Sequence, residues 1–241
     1  MTTATIEKQT FSIFGTFLWI FALAFGVQSV LGLFISIGLG MSGMEDESIS
    51  KALEAPILLG TVGLAAALLT MPLFKIAAYR PEKGFPYQFI GVKPIQRSVL
   101  LKVLAAGLVF GGIEHLALEY IDIAEPQFLL DIKAQTHNAL DLIMVIIAIA
   151  IVAPIIEELI FRGIAYTRFV KSRAGVTGAI IITSLLFGVV HFQYEFTIMA
   201  IIAIWALFLG YVRYKTDNVV YCIALHMLNN TLAIIYLYLF M

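Results

Sequence analysis

The sequence predicts an all-α, polytopic transmembrane bundle of about seven helices, with its chemistry gathered in the C-terminal helices. Composition is the first reason: 61% of the 241 residues are hydrophobic and only 13% charged, with a strongly positive mean hydropathy. Soluble domains do not reach that balance. The second reason is the recurrence of apolar runs near the ~20 residues that a bilayer core requires. The third is the charge on the loops between them, which alternates from basic to acidic.

The runs fall near residues 11–40, 56–79, 98–118, 139–165, 175–194, 196–212 and 219–240. The first exceeds the ~7–15 apolar residues of a signal-peptide core, so it reads as a membrane helix. Its glycines at 26, 32, 38 and 40 favour a tilt or a break near its end. Pro81, Pro86 and Pro94 make the connection after the second run rich in turns. His137 and Asp141 open the fourth run, where an acid suits a helix N-terminus, and neither is assigned chemistry. The expected division is a set of N-terminal membrane helices over 1–139, a catalytic core over 140–235, and the end of the last helix over 236–241.

Arg80, Lys83, Lys93 and Arg97 make one loop basic, Arg168, Lys171 and Arg173 a second, and Arg213 and Lys215 a third. The intervening loops carry Glu45, Asp46, Glu47 and Glu54, then Glu119, Asp122, Glu125 and Asp131. Because Lys and Arg collect on the cytoplasmic side, seven crossings with the amino terminus inside and the carboxy terminus outside satisfy the pattern. A multi-pass protein of the cell membrane is expected. The net charge of −1, with no basic patch interleaved with aromatics, gives no footprint for nucleic acid. The single cysteine, Cys222, has no partner for an intrachain disulfide and reads as a small buried hydrophobe.

Within the apolar stretch AIVAPIIEELIFRGIAY stand Glu157, Glu158 and Arg162. A charge at the centre of a membrane helix costs ~2.5–3.5 kcal/mol on insertion scales, so three within six positions mark a site. Residues four apart share a helix face, so Glu158 and Arg162 pair while Glu157 points ~100° away and stays available. Pro154 removes a backbone hydrogen bond just upstream and opens room for water. An ion-paired clamp between helices is the competing reading of the trio, and it leaves Glu157 without a partner.

Phe187 and His191 repeat the four-residue spacing in SLLFGVVHF, as do His226 and Asn230 in ALHMLNNTL. Taken singly, each pair suits an ordinary interhelical contact, worth about 0.6 kcal/mol in membranes. Together with Glu157 they supply a general base, an imidazole that handles protons, and hydrogen-bond donors: the parts needed to add water to an amide carbonyl. No GxSxG elbow, HExxH helix or pair of intramembrane aspartates is present to suggest another peptidase mechanism. Glu114 and His115, beside Gly111 and Gly112, read as an interhelical polar contact before they read as part of a cavity.

EELIFR fits EExxxR, FGVVH fits FxxxH and HMLNN fits HxxxN, in that order and each inside an apolar run. The chain thereby resembles the CPBP family of CAAX proteases and bacteriocin-processing enzymes over residues ~140–235. The resemblance implies an intramembrane endopeptidase in which Glu157 activates water with help from His191. It further implies that His226 and Asn230 hold the oxyanion while Glu158, Arg162 and Phe187 support them. Its substrates would be membrane-associated peptides or proteins, prenylated CAAX proteins or leader peptides among them, and its partner surface is the lipid bilayer. No cofactor is expected; zinc is the alternative, disfavoured because Asn230 is a poor zinc ligand. A non-enzymatic immunity protein, scaffold or transporter is the other alternative, although no duplicated half with broken helices is visible. The resemblance and the loop charges favour a cavity opening to the cytoplasmic side.

One tension remains in the helix plan. Glu157 and His226 fall near the inner ends of their runs and His191 near the outer end of its own, a mismatch approaching ~10 Å along a straight helix.

Overall fold

The computed structural model describes residues 12–78, 87–121, 123 and 125–241. The readings placed on the first ten residues, on Arg80, Pro81, Lys83 and Pro86, and on Asp122 lie outside the described residues. The remainder folds as α1 Ile13–Met41, α2 Asp46–Glu54, α3 Pro56–Ala78, α4 Tyr87–Ile90 and α5 Arg97–Tyr120. It continues with α6 Gln127–Ala134, α7 Ala139–Val170, α8 Gly175–Val189, α9 Phe196–Thr216 and α10 Val219–Leu239. Six of these, α1, α3, α5, α7, α9 and α10, are long and apolar enough to cross a membrane.

Local chemistry sets the boundaries. Ser12 caps α1 by accepting from the Gly15 amide at 3.2 Å. Asn138 caps α7 by accepting from Leu140 and Asp141, and the Asp141 carboxylate accepts in turn from the His137 amide and the Asn138 side chain, each at 2.9 Å. These two residues thus act as the helix start that the sequence suggested. Asp217 ends α9 in a left-handed conformation, φ 47°, and Asn218 caps α10 by accepting from the Val220 amide. Widened π-helical turns interrupt α1 at Ala22–Gly26 and α7 at Ile146–Val152 and Leu159–Ala165. The irregularity of α1 therefore lies at its middle, and the helix runs on through the glycines to Met41.

The fifth apolar run behaves differently from its expected 175–194. Helix α8 stops at Val189 after 15 residues, and residues 190–195 form a turn. At ~1.5 Å per residue it is about 22 Å long, short of a ~30 Å hydrocarbon core. It packs closely beside α9: a Cβ on Gly188 would lie 2.7 Å from the Met199 carbonyl oxygen and 2.9 Å from the Ala203 Cβ, and one on Gly210 would lie 3.0 Å from Ile180. Small residues let helix backbones approach in this way.

Cross-chain contacts sort the loops into two ends. At one, the Arg168 guanidinium donates to Thr16 Oγ1 at 3.1 Å and to the Ala77 carbonyl at 3.2 Å. The Val219 amide donates to the Gly91 carbonyl at 2.8 Å, and the Asn218 amide donates to Lys93 and Pro94. Lys93 and Arg213 both pair with Asp217, whose carboxyl is held below its ordinary pKa by these two hydrogen bonds against the opposing effect of burial. At the other end, Lys133 donates to the Leu237 carbonyl at 3.0 Å, Thr136 and Tyr238 share a hydrogen bond at 2.7 Å, and the Phe128 and Tyr194 rings meet edge to face. The basic loops share the first end and the acidic loops the second. Between them, nearer the basic end, Ile160, Phe161, Ile164, Ala165 and Phe169 form a fully buried layer of the core.

Candidate active site

Glu157 and Glu158 stand between the two widened turns of α7. Such turns displace carbonyls from the regular ladder, and here side chains of other helices take them up. The Asn230 amide donates to the Ile149 carbonyl at 2.9 Å, and Arg213 Nε donates to the Arg162 carbonyl at 3.0 Å. The irregular backbone is thus tied to α10 on one side of the glutamates and to α9 on the other.

Glu158 is wholly buried, and its Oε1 accepts from Arg162 Nη1 at 3.2 Å and from His226 Nδ1 at 3.0 Å. Arg162, equally buried, donates its second terminal nitrogen to the Ala206 carbonyl at 2.9 Å and lies over the Phe187 ring, 4.6 Å from its centroid. Glu158 Oε2 and Arg162 Nε are buried without a hydrogen-bond partner among the described residues. The predicted i,i+4 pair exists, and His226 joins it as a third member.

Glu157 points elsewhere, as its rotation about the helix requires. Its side chain is 28% exposed, and Oε2 lies 3.8 Å from His226 Nε2. His226 therefore bridges the two acids, with Nδ1 on the buried one and Nε2 facing the accessible one. A carboxylate has no proton to give, so Nδ1 carries the hydrogen it donates to Glu158. His191 is fixed by a similar argument: its Nδ1 lies 2.6 Å from the Phe187 carbonyl, which only accepts, so Nδ1 carries the hydrogen of that bond.

Phe187 holds the group together. Its buried ring lies 4.8 Å from that of His191 and 5.7 Å from that of His226, while its other contacts reach Arg162 and Phe161. The expected mismatch in depth is absent because α8 is short: His191 sits two residues beyond its end, beside Phe187, and both histidines meet the same aromatic ring.

Glu157, His191, His226 and Asn230 all line one cavity of about 460 Å³, and Glu158 does not. A volume of this size suits a short stretch of peptide. Ala66, Thr70, Ala153, Ile156 and Ile202 make much of the wall apolar. Sequence reasoning did not single out Tyr194, Gln193, Trp205, Thr70 or Asn229, which also line it. Tyr194 was the one within reach, three residues after His191 and stacked on its ring at 6.1 Å. Burial, and then the charge of Glu157, push its phenol up to about 12. Glu114 and His115 stay outside the cavity, and His115 packs edge to face on Tyr236.

The cavity does not run toward the basic end. From Glu157 its lining continues through His191 and Tyr194 to Gln193, Leu53, Pro126, Phe128 and Leu237, all at the acidic end. The buried layer around Phe161 and Phe169 and the Arg213 contacts lie on the other side of Glu158, toward the basic end.

Among the described residues, no three His, Cys, Asp or Glu side chains form a group arranged to hold a metal ion. Glu158 and His226 Nδ1 are already engaged with each other, and the Asn230 amide is spent in part on Ile149.

The cavity thus places a carboxylate, two imidazoles and an amide against a largely apolar wall inside a helical membrane bundle. Residues 139–232 match the family model described as Type II CAAX prenyl endopeptidase Rce1-like. That family comprises hydrolases of peptide bonds, and its match agrees with the recognition reached from the three motifs, all of which lie inside it. No curated protein and no solved structure matches the chain.

Proposed function

We propose that this protein cleaves a peptide bond of a membrane-associated polypeptide by water that Glu157 activates. The observation that carries the reading is the division of labour between adjacent acids: Glu158 is buried and doubly engaged, whereas Glu157 opens onto the cavity shared with His191, His226 and Asn230. Glu157 takes a proton from water while the oxygen attacks the carbonyl carbon. His191 Nε2 accepts a hydrogen bond from the same water and orients it. Negative charge then builds on the carbonyl oxygen, and Asn230 offers it the amide hydrogen that Ile149 does not use.

His226 completes the oxyanion site when its ring also carries a proton on Nε2, the nitrogen that faces Glu157. Glu157 returns its proton to the departing nitrogen, which leaves an amine and a carboxylic acid that then releases its proton to solvent. No step calls on a metal. Prenylated CAAX proteins and leader peptides both present such bonds at a membrane.

The test is purified protein reconstituted with candidate precursor peptides. Glu157→Gln should fold and insert like the wild type yet lose cleavage below detection, whereas His226→Ala and Asn230→Ala should each lose roughly 10²–10³-fold in turnover. Cleavage by Glu157→Gln at the wild-type rate would end the proposal.

A further inference from the structure

We infer that the substrate reaches this site from the acidic end of the bundle, and that it is a polypeptide carrying positive charge beside the apolar segment it inserts. The inference rests on the proposed hydrolysis only for the meaning of "substrate"; the direction of access stands on geometry. Three observations converge on it.

The cavity is closed at its basic end. Below Glu158 lie Ile160, Phe161, Ile164, Ala165 and Phe169, each at most 1% exposed. Beneath them the Arg213 guanidinium joins the Arg162 carbonyl to Asp217 and closes on Gly91, where no Cβ would fit. The Val219 and Asn218 contacts to residues 91–94 finish the seal. A peptide entering there would have to break a buried charged network and leave its partners stranded.

At the opposite end, among the described residues, no buried ion pair closes the lining, which is made of Leu53 from α2, Phe128 and Leu129 from α6, and Gln193 and Tyr194 from the turn after α8. The shortness of α8 is what creates this mouth, since the chain leaves the helix at Val189, next to the histidine, instead of continuing as a wall.

Charge then selects the occupant. The lining residues Leu53, Pro126 and Tyr194 each have an acid as a direct neighbour in the chain, Glu54, Glu125 and Glu195. The two lysines of this end are engaged, Lys51 with Glu47 at 2.7 Å and Lys133 with the Leu237 carbonyl at 3.0 Å. An apolar pocket with an acidic surround, at the border of a low-dielectric core, attracts an apolar segment flanked by Lys or Arg and repels one flanked by acids.

The test reads access without requiring catalysis. Ala153→Cys stands one helical turn before Glu157 on the cavity wall, Ala67→Cys is a second wall position, and Gln193→Cys and Lys215→Cys report the acidic and basic ends. Wild type, whose one cysteine is fully buried, is the background. A small, charged, membrane-impermeant thiol reagent is applied to right-side-out and to inverted vesicles. Ala153→Cys and Ala67→Cys should react from the side on which Gln193→Cys reacts, at least tenfold faster than from the side on which Lys215→Cys reacts. A synthetic apolar peptide with flanking lysines should slow that reaction at least tenfold, and the same peptide with glutamates in their place should not.

Faster labelling from the Lys215 side, or none from either side, overturns the route, and equal protection by both peptides overturns the charge preference. Loss of hydrolysis in the Glu157→Gln comparison leaves these readouts untouched, so the two ideas fail separately.

Discussion

Two neighbouring glutamates of one helix behave as different groups because a rotation of ~100° sends one into a sealed core and the other to a cavity wall. Glu158 has no contact with solvent, so its charge is tolerable only through Arg162 and His226. Removing one member of such a cluster strands the other, at ~3–5 kcal/mol, whereas replacing both with apolar residues is nearly neutral. Glu158→Leu and Arg162→Met should each lower the stability of the detergent-solubilised protein by about that amount, and the double variant should recover much of the loss in a thermal or denaturant assay. Cleavage should not recover with it, because His226 Nδ1 has lost the oxygen that sets its ring in both Glu158→Leu backgrounds. Recovery of both together would mean that Glu158 only holds α7 to its neighbours. The i,i+4 spacing made the Glu158–Arg162 pair legible in the sequence. The Glu158–His226 bond was not legible, since the spacing within one helix says nothing about which rotation of α10 faces α7.

At the scale of elements, the close approach of α8 and α9 sets where His191 stands. Gly188 lies one residue before the end of α8, and the nearest atom to an added Cβ is a backbone oxygen, which has nowhere to move. Gly188→Val should therefore push the hairpin open, cost about 1–3 kcal/mol, and reduce cleavage by displacing Phe187 and His191. Gly112→Ala, on α5, meets nothing within 4 Å and should change stability by no more than ~0.5 kcal/mol. Thermal unfolding of the two variants side by side distinguishes a packing glycine from an indifferent one. The existence and order of the membrane helices were readable from apolar runs. The end of α8 was not, because Phe192 prolongs the apolar pattern past Val189 while the close packing and the polar residues from Gln193 to Glu195 stop the helix. The depth mismatch in the sequence reading came from that boundary alone.

For the molecule as a whole, the question is whether α8, too short by length to be a membrane span, still carries the chain from one end to the other. The contacts answer it. Arg168, at the end of α7, reaches Thr16 and Ala77, so the start of α1, the end of α3 and the end of α7 lie together. Tyr194, after α8, meets Phe128 of α6 at the opposite end, and Arg213, at the end of α9, is back beside Gly91. Helix α8 thus runs from the basic end to the acidic end and is expected to cross, its missing length supplied by the turn through His191 and by local thinning of the bilayer or tilt, which cost only fractions of a kcal/mol per Å. The prediction is an odd number of crossings, with the start of α1 and the end of α10 on opposite sides. Because the end that gathers Lys93, Arg168, Lys171, Arg173, Arg213 and Lys215 is the basic one, it should face the cytoplasm. A reporter that functions only in the cytoplasm should be active when joined to residue 1 and inactive when joined after residue 241; one that functions only outside should give the reverse. Equal activity of the two fusions would require an even number of crossings, with α8 folded back on itself, and would place His191 and Glu157 on routes that no single cavity joins.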